Sequence, residues 1–337
     1  MTLRNHLPTA VIIEHLKAAV PSLMKDAHVP GLSLSLIRDA QIVWSGAWGV
    51  KQAETEEPVT IHTIFQAASL SKPLFAYAVL SLVQRGSIEL DRPVTCYLPT
   101  AFVPNDPLLE RITVRMVLSH LTGWPNWRED GQPLVRLRAP GEHFGYSGEG
   151  FGYLQQAVEC VTGQPLETFM QQSVFARLGM SHSSYLWGSG EDAESATGHD
   201  HLGKPLPSFT MDLPHAAASL QTTPSDYARF LCALLEPSAA PGTLSLAWRE
   251  EMLRPQVQLE AEVAWGLGWG LQNTKDGWAC WHSGDNPGFK NFTLAYPQIQ
   301  IGMVIMTNGD GGAALWEPLL QTSLGGRYPL FAWIARQ

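Results

Sequence analysis

The sequence predicts an α/β protein: an antiparallel sheet flanked by helices, built from both ends of the chain, with a mostly helical region inserted between them. Three observations carry this. Residues 31–37 (Gly-Leu-Ser-Leu-Ser-Leu-Ile) and 41–49 (Gln-Ile-Val-Trp-Ser-Gly-Ala-Trp-Gly) alternate with the period of strands and are joined by Arg38-Asp-Ala, the pattern of a hairpin. Residues 265–272, 278–283, 292–296 and 302–307 alternate in the same way near the C-terminus. From about residue 66 to residue 258 the chain reads instead as helices and loops. The expected division is therefore a sheet domain of residues 1–65 plus 259–337, a helical domain of residues 66–258, and a functional site in the cleft between them.

Taken in chain order, the first element is an amphipathic helix with Val11, Ile12, Leu16, Ala19, Val20 and Leu23 on its apolar side. The hairpin follows. A short strand-like approach at Phe65-Gln-Ala-Ala leads into a helix starting at or just before Ser69, with Pro73 in its first turn, where the missing N–H has no intrahelical partner to lose. The apolar run of residues 74–83 carries that helix inward. A further helix follows Tyr146-Ser147-Gly148, and a terminal one covers residues 313–324. The chain contains no internal repeat, low-complexity tract or long linker.

Composition narrows the function. With 337 residues, 45% of them hydrophobic and 16% charged, the chain can bury a large core. A net charge of −9 gives no basic footprint, so neither nucleic acid nor an anionic membrane is expected as a partner. No run reaches transmembrane length and Glu14 cuts off Val11-Ile-Ile13, so the chain as given reads as cytoplasmic, or periplasmic if a leader has been trimmed. Cys96, Cys160, Cys232 and Cys280 have neither metal nor redox spacing and are expected to be reduced and mostly buried. His199-Asp-His201 lacks a third spaced ligand and reads as loop, so no metal and no cofactor is expected.

The chemistry begins at Ser69 and Lys72. Three positions apart on one helix, they share a face, so the amine can point back at the hydroxyl, and a serine hydroxyl becomes a competent nucleophile once a base takes its proton. Ser22-Leu-Met-Lys25 has the same spacing but sits on the solvated side of the first helix. No G-x-S-x-G elbow exists, because Gly145-Tyr-Ser-Gly-Glu149 fails at its last position. Gly266-Leu-Gly-Trp-Gly270 is not a dinucleotide loop, since no helix follows it.

Two more elements complete an ordered set: Tyr146-Ser147-Gly148, and Trp281-His282-Ser283-Gly284-Asp285 within the C-terminal strands. With Ser69-Leu-Ser-Lys72 they resemble the serine β-lactamase and penicillin-binding superfamily, most closely the class C β-lactamase-related branch of carboxylesterases and D-aminopeptidases. The resemblance covers nearly the whole chain, including residues 86–94, 116–123, 158–163 and 265–270. It implies a β-lactamase/transpeptidase-like fold, Ser69 as nucleophile, Lys72 as its amine partner and Tyr146 as the proton-exchanging phenol. It leaves open whether Lys72 or Tyr146 is the base. His282, Ser283, Gly284 and Asp285 would form one wall of the site, with the N–H groups of Ser69 and Asp285 as the oxyanion hole.

Departures from the family pattern point to the substrate. The third motif usually begins with Lys, which suits a substrate carboxylate, whereas His282 is largely neutral near pH 7. Gly148 offers no side chain where the family carries an asparagine amide. Both favour an ester or a small amide over a β-lactam; the alternatives are a β-lactamase or D-amino-acid peptidase, and a penicillin-binding module with slow turnover. Asp285 serves either a cationic substrate or the turn ending at Gly288. His120, at a helix end, reads as structural. Trp124, Trp127 and Trp187, together with Gly148, are candidates for lining an apolar pocket, with residues 187–206 as a specificity segment.

Overall fold

The computed structural model describes residues 3–4, 6–104, 106–187, 194–238 and 240–336. Ten strands appear among them: β1 Gly31–Arg38, β2 Gln41–Gly49, β3 Phe65–Ala68, β4 Leu220–Thr222, β5 Val257–Glu260, β6 Val263–Trp265, β7 Gly270–Thr274, β8 Gly277–Asn286, β9 Phe289–Tyr296 and β10 Ile301–Thr307. Eight form one sheet in the order β2-β1-β10-β9-β8-β7-β6-β5, and every pairing is antiparallel. The N-terminal hairpin joins the C-terminal strands through Leu32 opposite Thr307 and Leu36 opposite Met303. Both ends of the chain thus build one sheet.

The helices are α1 Thr9–Asp26, α2 Ser71–Gln84, α3 Val114–Leu118, α4 Gly148–Thr162, α5 Leu166–Met170, α6 Ala176–Leu178, α7 Pro224–Leu235, α8 Leu246–Met252, α9 Trp316–Ser323 and α10 Pro329–Ile334. Helix α1 buries Ile12, Leu16, Val20 and Met24, one residue per turn, and shares a core with α9, α10 and one sheet face. Ser22 and Lys25 lie on its exposed side. Helix α2 is apolar almost all round, and its residues 71–82 are all buried at the centre of the second core, against the opposite sheet face.

Local chemistry explains the departures from the expected elements. The β1–β2 turn holds two residues, Asp39 (φ 52°) and Ala40 (φ 55°), the mirror-image geometry that suits the right-handed twist of a hairpin. The strand expected over residues 265–272 is two strands, because Gly266–Trp269 closes a turn through a 2.8 Å bond from the Gly266 N–H to the Trp269 carbonyl. Gly268, at φ 80°, brings that turn onto α2: a Cβ there would stand 2.6 Å from Ala76 Cβ. Strand β3 is the strand-like approach expected before Ser69, whereas its partner β4 escapes period-two reading, since a three-residue strand carries little pattern. Of the four cysteines, Cys96 and Cys160 are exposed, against the expectation of burial; all four are free thiols. No helix among the described residues is long and apolar enough to cross a membrane.

Ala40 pays the cost of a left-handed backbone with a side chain. Ala40→Gly is expected to raise the unfolding free energy by about 0.5 kcal/mol at an unchanged denaturant slope; a lower midpoint would show that the Ala40 methyl in the core outweighs the backbone term.

Candidate active site

Ser69 stands at a strand-to-helix turn. Strand β3 ends at Ala68, whose φ of 52° is unusual for a residue with a Cβ, and α2 starts two residues after the serine. The corner is tied from several sides: the Ser71 hydroxyl donates to the Ala68 carbonyl and accepts from the Leu220 N–H at 3.0 Å. Two buried phenols donate to the start of α2, Tyr185 to the Ser71 carbonyl at 2.8 Å and Tyr227 to the Leu70 carbonyl at 3.1 Å. Ser71, Tyr185 and Tyr227 support the site through the fold, and no motif announces them.

The structure brings Ser69, Lys72 and Tyr146 together. Lys72 Nζ lies 3.0 Å from Ser69 Oγ and 2.9 Å from the Ala217 carbonyl, with the lysine fully buried. Its Nζ is 4.6 Å from the centre of the Tyr146 ring, whose hydroxyl reaches hydrogen-bonding range of Ser69. Burial alone draws the Lys72 amine down to about 7. Burial drives the Tyr146 phenol the other way, above its ordinary value, and the bond to Ser69 offsets only part of this. Burial is the larger effect, so a tyrosinate is disfavoured.

Three imidazoles surround this pair, all kept neutral. His282 is drawn down to about 3 and His215 to about 4, first by burial and then by the Lys72 charge. His120 is lowered for the same two reasons and also by His282. His120 keeps the structural role read from sequence: its Nδ1 accepts from the Ser147 N–H at 3.0 Å, and its ring lies 4.2 Å from that of Tyr146. The left-handed backbone of His120 (φ 57°) turns the chain so that the ring backs the phenol.

The β8 wall differs in detail from expectation. His282 is 1% exposed, donates from Nδ1 to the Ser283 carbonyl at 2.8 Å, and packs behind Tyr146 and Trp265, so it presents no group to the cleft. Gly284 is required by the protein itself: a Cβ there would come 2.2 Å from the Ala67 carbonyl, so its bareness lets β8 close on β3. Asn291 Nδ2 on β9 and Asn286 Nδ2 on β8 also hold the sheet on β3, reaching the Gln66 carbonyl at 2.8 Å and Gln66 Oε1 at 3.2 Å. Asp285 belongs to the strand rather than to the turn chemistry; it faces the cleft and pairs at 2.5 Å with Lys290, its cross-strand neighbour.

A cleft of about 460 Å³ opens over Ser69. Tyr146, Ser283 and Asp285 line it as expected, with Trp127, and Asn126, Phe209 and Met211 join them from loops that carry no recognisable motif. Trp124 does not line it: at 2% exposure it packs on Phe102 and Tyr153 in the core. Trp187 lines a neighbouring cavity of about 350 Å³ and donates to the Ser219 carbonyl. Of the expected specificity segment, residues 188–193 lie outside the described residues. Gly148 meets the Trp127 ring rather than open space. Both ring nitrogens of His199 are engaged, one accepting from the Ala53 N–H at 3.1 Å and the other donating to the Asn308 carbonyl at 2.8 Å.

The β-lactamase family pattern matches residues 16–320, and the chain belongs to that family. It is similar to penicillin-binding protein 4 of Amycolatopsis lactamdurans, 26% identical over 92% of this chain and 89% of that protein. It is also similar to esterase EstB of Burkholderia gladioli, 28% identical over 79% of this chain and 80% of that one. Among solved structures, the D-alanine carboxypeptidase AmpC from Burkholderia cenocepacia superposes with a TM-score of 0.78 at 21% identity, covering 92% of this chain and 100% of that one. The fold is β-lactamase/transpeptidase-like, and the chain is a serine hydrolase of the β-lactamase family.

Gly284→Ala is expected to leave a folded protein with activity lowered at least about 100-fold, because the methyl pushes β8 off β3 beside Ser69. Activity within about threefold of wild type would show that β8 yields without moving the wall.

Proposed function

We propose that this chain hydrolyses carboxylic esters or small amides through an acyl-enzyme on Ser69. The observation that carries the reading is the pairing of Ser69 Oγ, at 3.0 Å, with a Lys72 amine that burial holds near half-deprotonation at neutral pH. Lys72 is the base in this scheme. It takes the Ser69 proton as Oγ attacks the carbonyl carbon, and the backbone N–H groups of Ser69 and Asp285 receive the oxyanion. Collapse of the tetrahedral species breaks the bond to the alcohol or amine, which leaves with the proton returned from Lys72 through the Tyr146 hydroxyl. Water then cleaves the acyl group from Ser69 by the reverse proton path.

The character of the wall supports a substrate without a carboxylate. His282 is neutral and turned away, and Lys290, across from Asp285 on β9, is held between Asp285 at 2.5 Å and Asp310 at 3.0 Å. The charged group that lines the cleft is the Asp285 carboxylate, which repels an anion. Gly148 adds no amide to hold an acylamino group.

The test is turnover of p-nitrophenyl acetate and butyrate against nitrocefin, in wild type and Ser69→Ala. Ester turnover is expected to fall by about 10⁴-fold in the variant, with nitrocefin at least about 100-fold poorer than the better ester. Rapid nitrocefin turnover, or a Ser69 adduct that persists by mass spectrometry, would replace this reading with a β-lactamase or a penicillin-binding module.

The pH dependence follows from the same groups. Lys72 must be neutral to act, and the groups facing it titrate elsewhere: His120, His215 and His282 well below 7, Tyr146 well above, with Glu149 held as a carboxylate by Arg128. The ester kcat/KM is therefore expected to rise along a single limb centred on about 7 and to level off by pH 9. A profile that is flat from pH 5 to 9 would remove Lys72 as the titrating base.

A further inference from the structure

The chain around Trp127 is fastened to the first turn of α4 at three residues, Pro125, Asn126 and Arg128. The Pro125 carbonyl accepts from the Ser147 hydroxyl at 2.8 Å. The Asn126 carbonyl accepts from the N–H groups of Gly148 and Glu149 at 3.0 and 3.1 Å, and Asn126 Oδ1 accepts from the Gly148 N–H at 3.0 Å. Arg128 donates its backbone N–H to Glu149 Oε1 at 3.0 Å and grips both carboxylate oxygens with its guanidinium at 2.9 and 2.5 Å. These bonds satisfy helix N–H groups that have no intrahelical partner. They also fix residue 127 between two anchored neighbours.

The indole so held is 43% exposed and forms part of the cleft over Ser69. It occupies the space that a side chain at position 148 would take: a Cβ on Gly148 would stand 2.6 Å from Trp127 Cη2 and 2.7 Å from Cζ2. The ring centre is 6.0 Å from Lys72 Nζ and 5.1 Å from the His215 ring. Residue 148 and the Trp127 ring therefore exclude one another. Phe209, Met211 and Ala218 continue the apolar lining.

We propose that Trp127, pinned by residues 125–128 in the space that Gly148 leaves open, determines acyl specificity: its indole receives the apolar end of an unsubstituted acyl chain and rejects acyl groups bearing an amide beside the carbonyl. The inference rests on the acyl-enzyme reading above. Each methylene of the acyl group laid on the indole leaves water, which raises transition-state binding about threefold to fourfold. An amide in the same place loses its water hydrogen bonds against an aromatic face that supplies few in return.

The experiment measures kcat/KM for p-nitrophenyl acetate, butyrate and hexanoate in wild type, Trp127→Ala and Trp127→Phe. The same comparison is made without turnover from calorimetric Kd values of methyl-, butyl- and hexylboronic acid, which add to Ser69 Oγ. Wild type is expected to gain about threefold per methylene in both series. Trp127→Ala is expected to gain less than about 1.5-fold, with Trp127→Phe between them. The double variant Gly148→Asn with Trp127→Ala is expected to shift the ratio of an N-acetylglycyl ester to the butyrate ester at least about tenfold towards the former. Ester turnover and boronate binding that both survive Ser69→Ala would overturn the acyl-enzyme reading itself. Ser69-dependent turnover or binding with the chain-length gain unchanged in both folded Trp127 variants would overturn the specificity assignment alone.

Discussion

An amine buried with no carboxylate partner among the described residues is the constraint around which this molecule is arranged. Lys72 is fully buried, and its polar partners are a hydroxyl and a peptide carbonyl, those of Ser69 and Ala217. Neither carries a charge to offset the loss of hydration, so the ammonium form is disfavoured. The aromatic rings of Tyr146, Phe151 and Trp127, at 4.6, 5.8 and 6.0 Å, give only a partial substitute for water. The balance leaves a base of near-neutral pKa beside a serine, and it survives only if no carboxylate or water relieves it.

Everything near that amine serves this isolation. Gln155 of α4 holds the loop carrying Ala217, donating to the Pro214 carbonyl at 3.0 Å and accepting from the Ala216 N–H at 2.8 Å. Glu149, the carboxylate on the same helix, is engaged by Arg128. On the opposite side, the Gly266–Trp269 turn presses on α2 through Gly268, and the neutral rings of His120 and His282 pack around Tyr146. A histidine at 282 suits this packing in a way a lysine cannot: a second buried ammonium beside Lys72 would face repulsion as well as desolvation.

Much of the frame was legible because its signals are periodic or ordered. The alternation of residues 31–37 and 302–307 gives both strands that meet in register, and the spacing of Ser69 and Lys72, with Tyr146 further along the chain, marks groups that lie close together in the structure. What was not legible depends on closeness in space. Strand β4 is three residues long, and its meaning lies in pairing with β3 beneath Ser69. Tyr185 and Tyr227 act through single hydroxyls on backbone carbonyls, a contact that leaves no spacing in the sequence. Trp124 and Trp127 stand three residues apart, yet one fills the core and the other faces the cleft, because the Pro125 and Asn126 carbonyls between them are held on the start of α4.

The two glycines of the site show why residue type alone misled. Gly148 reads as pocket lining and Gly284 as part of the wall, but each is bare for a neighbour within the protein, the Trp127 ring in one case and the Ala67 carbonyl in the other. The cleft is thus set by protein packing on both sides of Ser69. The same holds for charge: Asp285 faces the cleft, but its partner Lys290 also binds Asp310, whose carboxylate oxygen accepts from the Gly288 N–H at 2.9 Å. Replacing His282 by lysine alone would therefore not give a free cation at the wall, since that side chain is buried behind Tyr146 and Trp265. A carboxylate-binding site on this scaffold requires that the acidic wall and the buried imidazole be altered as a unit.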